Sequence, residues 1–216
     1  MSAMQGPPGF YGKLPAVGDF VHRRLPETFV EPWHAAMQGL LSAAGAAITA
    51  PEYRPAVWRF VLPPGLAGTL AWAGAMRASV DRVGRAFPLV IAAPLPAGDA
   101  DGMTGVAMPT HLHLPAWLDA ADTVLCDVGA ERQQDGTWLD HACMALAQHV
   151  RNPAAPLAAP LLAAPTTAGS SLWWTAMTAA APGAWIQLAG WPAACHARVL
   201  LGSLQRPSAC GADALQ

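Results

Sequence analysis

The chain has 216 residues, of which 53% are hydrophobic and only 12% are charged, and its formal net charge is −2. This length favours one domain with insertions over two domains, and it suffices to bury a core without disulfide bonds. The negative charge excludes nucleic acid as a partner, because binding to a phosphate backbone requires a strongly basic face.

A β-hairpin and an amphipathic helix are the first predicted elements. Apolar-rich runs on either side of PAVG at residues 15–18 indicate the hairpin. The helix that follows has two possible starts, either a capping box of Thr28 and Glu31 or a later first turn at Pro32, and it ends by Pro51. The apolar face of this helix has helical spacing and contains Phe29, Val30, Trp33, Met37, Leu40 and Leu41.

Three strands are predicted next. Residues 57–62 alternate between two faces, whereas residues 69–76 and 87–93 are more uniformly apolar, as central strands are. The segment that connects the second and third strands is polar and is considered below.

Two amphipathic helices follow these strands. Residues 115–128 and residues 137–151 each place their large apolar side chains on one side at helical spacing. Thr137 is in position to cap the start of the second helix.

The last part of the chain is short of charge, and residues 152–197 contain no Asp, Glu, Lys or Arg. Four prolines within residues 152–167 predict an extended linker, and residues 208–216 are expected to fray. Strands are predicted over residues 172–177, 184–189 and 198–201.

The apolar stretch of residues 172–191 has the length of a membrane span. Pro182 and Gly183 interrupt it, so two buried strands joined by a turn are the favoured interpretation. The order of elements predicts a single α+β domain over residues 1–207, with a largely antiparallel sheet flanked by helices.

Catalytic and cofactor-binding motifs are missing. The sequence has no G-x-S-x-G, G-x-x-x-x-G-K-[ST], H-E-x-x-H or G-x-G-x-x-G pattern, and no cofactor is predicted. His111 and His113 have no carboxylate or thiol near them, so we expect a plain loop pair without a metal. Glu27 and Glu31 are interpreted as acids at a helix start rather than as a catalytic pair.

The cysteines and the N-terminal residues indicate the cellular compartment of the protein. The four cysteines show no C-x-x-C spacing, and the first residues lack the basic start and apolar run of a signal peptide. We therefore expect a cytoplasmic protein with free thiols at Cys126, Cys143, Cys195 and Cys210.

Two polar clusters stand out in a chain so poor in charge, the first around the hairpin and the second between two later strands. The second cluster is SVDRVGR at residues 79–85, and the strands on either side of it are predicted to be buried. Gly84 allows a tight turn there, and Arg82 and Arg85 offer planar donor groups for a carboxylate or a phosphate. The first cluster surrounds the hairpin and contains Lys13, Asp19, His22, Arg23 and Arg24.

Three interpretations of residues 79–85 stay open at this point: a salt-bridged structural turn, a protein-binding surface, and a small-anion or catalytic site. Both clusters flank elements of one sheet. We therefore expect six residues to lie close together in the fold: Lys13, Asp19, Arg23, Asp81, Arg82 and Arg85.

These clusters carry a family resemblance. Residues 9–15 read GFYGKLP, with GDFV and RRLP soon after them, and residues 79–89 read SVDRVGRAFPL. In this order and spacing, with WRF at residues 58–60 and SLWW at residues 171–174, they resemble the TagF (ImpM) family of type VI secretion accessory proteins. Two positions depart from the family pattern, Ala78 where a proline is usual and His34 where an acid is usual.

The resemblance implies a cytoplasmic, non-catalytic regulator that restrains type VI secretion after translation. It also implies that the partner is the forkhead-associated scaffold protein of the secretion system. The residues expected to form the partner-binding surface are Lys13, Asp19, Arg23, Arg24, Ser79, Asp81, Arg82 and Arg85.

Two alternatives of other classes remain. A small hydrolase would use Ser79 or His22 beside Asp19 or Asp81, and it would need a nucleophile within hydrogen-bond reach of a base. A structural subunit of the secretion assembly would need a large apolar contact face, to which the nine tryptophans of the chain could contribute.

Overall fold

A seven-stranded sheet is the centre of the fold in a computed structural model, which describes residues 7–45, 55–95, 117–129, 134–147, 169–176 and 183–202. The order across the sheet is β2-β1-β5-β4-β3-β6-β7. All neighbouring strands are antiparallel, so the predicted α+β fold with an antiparallel sheet is confirmed. The strands are β1 (Gly9–Lys13), β2 (Phe20–Arg23), β3 (Val57–Leu62), β4 (Trp72–Arg77), β5 (Leu89–Pro94), β6 (Ser170–Trp174) and β7 (Trp185–Ala189).

Helices cover both faces of the sheet, because the central strands are apolar on both sides. Helix α1 (Glu27–Ala44) packs on one face, together with a short 3-10 turn (Ala194–His196) and α4 (Ala197–Leu200). Helices α2 (Trp117–Asp127) and α3 (Gly136–Leu146) pack on the other face.

Tryptophans and phenylalanines alternate between the two cores. Trp173 is buried on the α1 side, whereas the next residue, Trp174, is buried on the α2 side. This is the two-residue period of a strand. Trp33 of α1 lies 5.1 Å from Phe60 and 6.1 Å from Trp173, measured between ring centroids. Each fully buried side chain of this size contributes roughly 2–3 kcal/mol by leaving water.

The helix ends differ from those expected. Helix α1 begins at Glu27 after Pro26, without a side-chain cap, so the Thr28 capping box is wrong and Pro32 lies inside the helix. It ends at Ala44, before Pro51, which lies outside the described residues.

The start of α3 was also misplaced. Asp135 caps it, accepting hydrogen bonds from the backbone N–H groups of Thr137 and Trp138, so Thr137 is not the cap. Both residue types cap well, and only the position of the first helical turn decides between them.

Residues 198–201 were predicted as a strand, and that prediction is wrong. They belong largely to α4, where Ala197 and Leu200 are buried and Arg198 and Val199 are exposed. A run this short carries too little periodicity to separate a strand from a helical turn, and contact with α1 decides it.

The apolar stretch near residues 172–191 forms the antiparallel pair β6–β7, with Ser170 opposite Ala189 and Trp174 opposite Trp185. The two predicted strands are confirmed, and residues 177–182 between them lie outside the described residues. None of the described helices is long and apolar enough to cross a membrane. The proposed linker at residues 152–167 and the tail at residues 208–216 also lie outside the described part.

Candidate functional site

The two motifs meet where β1 pairs with β5. In this ladder Tyr11 lies opposite Val90, and Gly12 follows it with a φ of 141°. A Cβ atom on Gly12 would lie 2.3 Å from the carbonyl oxygen of Pro88. Only glycine permits this approach and this backbone conformation, so Gly12 seats the second motif against the first.

Asp81 is the centre of the cluster that results. Its side chain is fully buried, and its Oδ2 atom accepts hydrogen bonds from Lys13 Nζ at 2.8 Å and from Arg85 Nε at 2.7 Å. Its Oδ1 atom accepts from the backbone N–H groups of Val83 at 3.0 Å and Arg85 at 2.9 Å. One carboxylate therefore joins the hairpin to a turn 68 residues later in the chain.

The charge state of Asp81 follows from these contacts. Burial favours the neutral carboxyl, but the hydrogen bonds from Lys13 and Arg85 and from the backbone outweigh it and hold the pKa of Asp81 well below its usual range. The carboxylate stays ionised at neutral pH. Both of its oxygens are engaged, which leaves it poorly suited to accept a proton as a base.

Backbone hydrogen bonds close the 79–85 turn and dock it on the hairpin loop. The N–H of Gly84 donates to the carbonyl of Asp81, and the N–H of Arg82 donates to the carbonyl of Val17, each at 3.0 Å. The Arg85 guanidinium also donates to the carbonyl of Gly18. Gly84 has a φ of 86°, the left-handed conformation that glycine supplies without strain.

Aromatic rings lie beside the ion pairs. Phe20 stacks on Tyr11 with centroids 5.2 Å apart and meets Phe87 edge-on at 4.9 Å. The ammonium of Lys13 lies 5.1 Å from the centre of the Phe20 ring, where a cation is attracted to the ring face.

His34, one of the departures from the family pattern, joins this aromatic group. Its Nδ1 atom shares a hydrogen bond of 2.6 Å with the Tyr11 hydroxyl, and its ring stacks on Phe87. Burial, with the negative charges of Glu27 and Asp19, raises the pKa of Tyr11. An imidazole therefore accommodates the position where an acid is usual.

Three side chains of the turn face solvent. Arg82 is exposed, the Arg85 side chain is 60% exposed, and Val83 is 66% exposed. Among the described residues, the Arg82 guanidinium forms no ion pair. It lies beside Gly18, where an added Cβ atom would be 3.3 Å from Arg82 Nη2. The exposure of Val83 was not among the sequence-based expectations, although an apolar residue between two arginines in a turn is a detectable signal.

The structure separates the expected cluster into two. Lys13, Asp81, Arg82 and Arg85 come together, whereas Arg23 lies opposite Phe10 at the other end of the hairpin ladder. There the Nε atom of Arg23 is 3.9 Å from Oδ2 of Asp140, a residue of α3. Arg24 donates a hydrogen bond to the same carboxylate. Expecting Arg23 beside Asp81 was wrong, because a strand separates residues three apart by about 10 Å.

Asp19 and Arg24 have local roles. Asp19 is exposed and caps the backbone N–H of Phe20 at 2.8 Å. Arg24 donates to the carbonyl of Pro8 and lies over the ring of Phe10, and Asp140 completes its surroundings. The hydrogen bond from Arg24, opposed by a small effect of burial, lowers the pKa of Asp140.

The groups considered for a hydrolase do not hydrogen-bond to one another within the described part of the chain. Ser79 Oγ is buried and has no hydrogen-bond partner there. His22 Nε2 donates to the carbonyl of Leu25 at 2.6 Å. A serine nucleophile requires a base in hydrogen-bond reach, and Asp81 is occupied by Lys13 and Arg85.

Metal ligands and thiols add no further site to the described residues. No group of three or more His, Cys, Asp or Glu there could hold a metal ion, and His111 and His113 lie outside them. Cys126, Cys143 and Cys195 are free, and Cys210 is not among the described residues. Burial raises the pKa of the Cys143 thiol to about 12, which keeps it protonated.

Comparison with known proteins places these features in a family context. A family model described as the TagF N-terminal domain, type VI secretion system-associated, matches residues 9–152. The crystal structure of PA0076 from Pseudomonas aeruginosa PAO1 is similar, with a TM-score of 0.63 and 28% sequence identity. That similarity covers 96% of this chain and 100% of the other. No curated protein matches the chain.

Proposed function

The chain belongs to the TagF family of type VI secretion system-associated proteins, and on this basis we propose that it is a non-catalytic regulator. It acts in the cytoplasm, after translation, and restrains assembly of the secretion system by binding a protein. The partner is the forkhead-associated scaffold protein of that system, as the family resemblance implies.

One observation carries the proposal: the 79–85 turn divides its charged side chains between the interior and the surface. Asp81 and Lys13 are buried and satisfy each other, so they position the turn. Arg82 and Arg85 remain exposed on it. Arginine suits a binding role because its planar fork recognises an anionic group with defined orientation.

The other predicted site residues take supporting places in this proposal. Ser79 accepts a backbone hydrogen bond from Phe87 at 2.9 Å and so closes the base of the turn. Asp19 borders the binding surface from the hairpin. Arg23 and Arg24 lie beside Asp140 and form a separate cationic area, in which Arg24 is the less exposed of the two.

A binding titration tests the proposal. Arg82→Ala should weaken binding to the forkhead-associated scaffold by about 2 kcal/mol, roughly thirtyfold, because a central arginine contact is lost. The melting temperature should be nearly unchanged, since Arg82 has no ion-pair partner among the described residues.

Arg198→Ala on α4 is the matched control, because Arg198 is also exposed but belongs to a different element, more than a hundred residues later in the chain. Calorimetry of both variants, beside the titrations, separates recognition from folding. Equal affinities for wild type and Arg82→Ala would contradict the assignment of the surface. Absence of binding by the wild-type protein would refute the proposed partner itself.

A further inference from the structure

We propose that Val83 is the apolar centre of the partner-binding surface, and that the partner receives it in a shallow apolar pocket bordered by carboxylates. The inference rests on the proposed function, because it specifies the chemistry that the same turn recognises. It adds a contact residue and restricts the class of group that binds the arginines.

Exposure first distinguishes Val83. At 66% it is more exposed than the other large exposed hydrophobic side chains of the described residues, whose values range from 44% for Trp185 to 49% for Met144. Single exposed apolar residues are common on protein surfaces and need no explanation alone. Val83 differs in standing between two exposed arginines, so that an apolar contact at this side chain would have a charged rim, which is the usual arrangement of a protein interface.

Rigidity is the second argument. The N–H of Val83 donates to Asp81 Oδ1 at 3.0 Å. The N–H groups of its chain neighbours, Arg82 and Gly84, also donate hydrogen bonds within the protein. A β-branched side chain has few rotamers to lose. An apolar side chain fixed in this way binds with little loss of conformational entropy, so its burial contributes more fully to affinity.

The backbone of the turn argues for a carboxylate partner over a phosphate. Phosphate sites in loops usually gather several free backbone N–H groups. Here the N–H groups of residues 82–85 all donate hydrogen bonds within the protein. Their acceptors are the carbonyl of Val17, the carboxylate of Asp81 and the carbonyl of Asp81. The turn therefore offers side-chain donors alone.

The side-chain donors match a planar acid. Arg85 already uses Nε on Asp81 and Nη2 on Gly18, whereas the Arg82 fork has no ion-pair partner among the described residues. One free guanidinium fork pairs with one carboxylate through two parallel hydrogen bonds. Arg82 and Arg85 are the exposed charges of the turn itself, whereas Asp81 is buried there and Asp19 lies on the adjoining hairpin, so an acidic partner surface is also favoured at longer range.

Substitutions of Val83 test the inference by titration of the full chain with the forkhead-associated scaffold protein. Val83→Ala should weaken binding about tenfold, and Val83→Asp by about a hundredfold or more, because a carboxylate would face the partner's own acids. Both variants should melt like the wild type. Val199→Ala and Val199→Asp are the matched controls, since Val199 is also exposed, at 47%, but lies on α4.

The outcomes separate this inference from the proposed function. Binding by Val83→Asp equal to that of the wild type, with binding lost in Arg82→Ala, would overturn the role of Val83 and leave the proposed function intact. Treatment of the scaffold protein with a phosphatase should leave binding unchanged, and loss of binding after this treatment would overturn the carboxylate assignment. A wild-type protein that does not bind the scaffold would refute both.

Discussion

Two acids of this protein each hold two cations, and they do so in opposite ways. Asp81 is fully buried, engages Lys13 and Arg85, and receives two further hydrogen bonds from the backbone. The Asp140 side chain is 23% exposed and lies beside Arg23 and Arg24 on the outside of the hairpin.

The difference decides what each cluster can do. Around Asp81, the buried charge organises a turn and leaves Arg82 and Arg85 exposed on its outer side. Around Asp140, the acid pairs with two arginines near the surface, where an ion pair contributes little to stability. Burial of the acid, rather than the number of charges, therefore separates the organised turn at Asp81 from the more exposed ion pairs at Asp140.

The largest expected effect concerns the contact that seats the Asp81 cluster. Gly12→Ala should destabilise the protein by about 4 kcal/mol or more, because its Cβ would collide with Pro88 and its φ is unfavourable for alanine. Denaturant unfolding monitored by tryptophan fluorescence measures the loss.

Gly136, near the Asp140 cluster, provides the control. Its Cβ would meet Val21 at 3.6 Å, an ordinary contact, and it lies in the first turn of α3. Gly136→Ala should be neutral or stabilise the protein by at most about 1 kcal/mol. Equal losses for both variants would show that Gly12 has no special place in the fold.

Removing the charge of each acid sharpens the comparison directly. Asp81→Asn should lower the melting temperature on the order of 10 °C, because the buried Lys13 ammonium loses its charged partner and Arg85 loses its ion pair. Asp140→Asn should change it by no more than about 3 °C. Differential scanning calorimetry at neutral pH decides, and a smaller loss for Asp81→Asn than for Asp140→Asn would reverse the assignment of roles.

The pH dependence of stability gives a third, smaller effect. The pKa of Asp81 is lowered from its ordinary value of 3.8, so the unfolded chain binds a proton that the folded protein does not. The stabilisation from this group is present above about pH 4 and is lost as the pH falls below about 4 towards the folded pKa.

Melting temperatures between about pH 7 and about pH 2.5 test this sign. The decline below about pH 4 should be shallower in Asp81→Asn than in the wild type, with Asp140→Asn between them because the pKa of Asp140 is also lowered. Parallel curves for wild type and Asp81→Asn would contradict the assignment.

The smallest expected effect is on binding. Arg24→Ala should alter affinity for the forkhead-associated scaffold by less than about threefold, because its guanidinium is engaged by Asp140, Pro8 and Phe10. Arg82→Ala, measured in the same titration, is the reference. A loss for Arg24→Ala equal to that for Arg82→Ala would extend the binding surface to the Asp140 side of the hairpin.

Local periodicity was enough to predict much of the fold from the amino-acid sequence. The apolar face of α1 was predicted residue by residue, and the bounds of β3 match the structure, because these patterns depend on neighbours within a few positions. The two motifs and their order also carried the family resemblance. The composition of the 79–85 turn indicated that it would fold back on itself.

Only the tertiary structure decided which charges are buried and which are free. Asp81 pairs with the nearby Arg85, as local spacing allows, but its second partner, Lys13, depends on a contact across 68 residues. The same pairing sends Arg23 to Asp140 and leaves Val83 in solvent. Burial and charge pairing arise from long-range contacts, which leave no periodic pattern in the sequence. The sequence therefore determined the secondary-structure elements, and the tertiary fold determined the surface that they present.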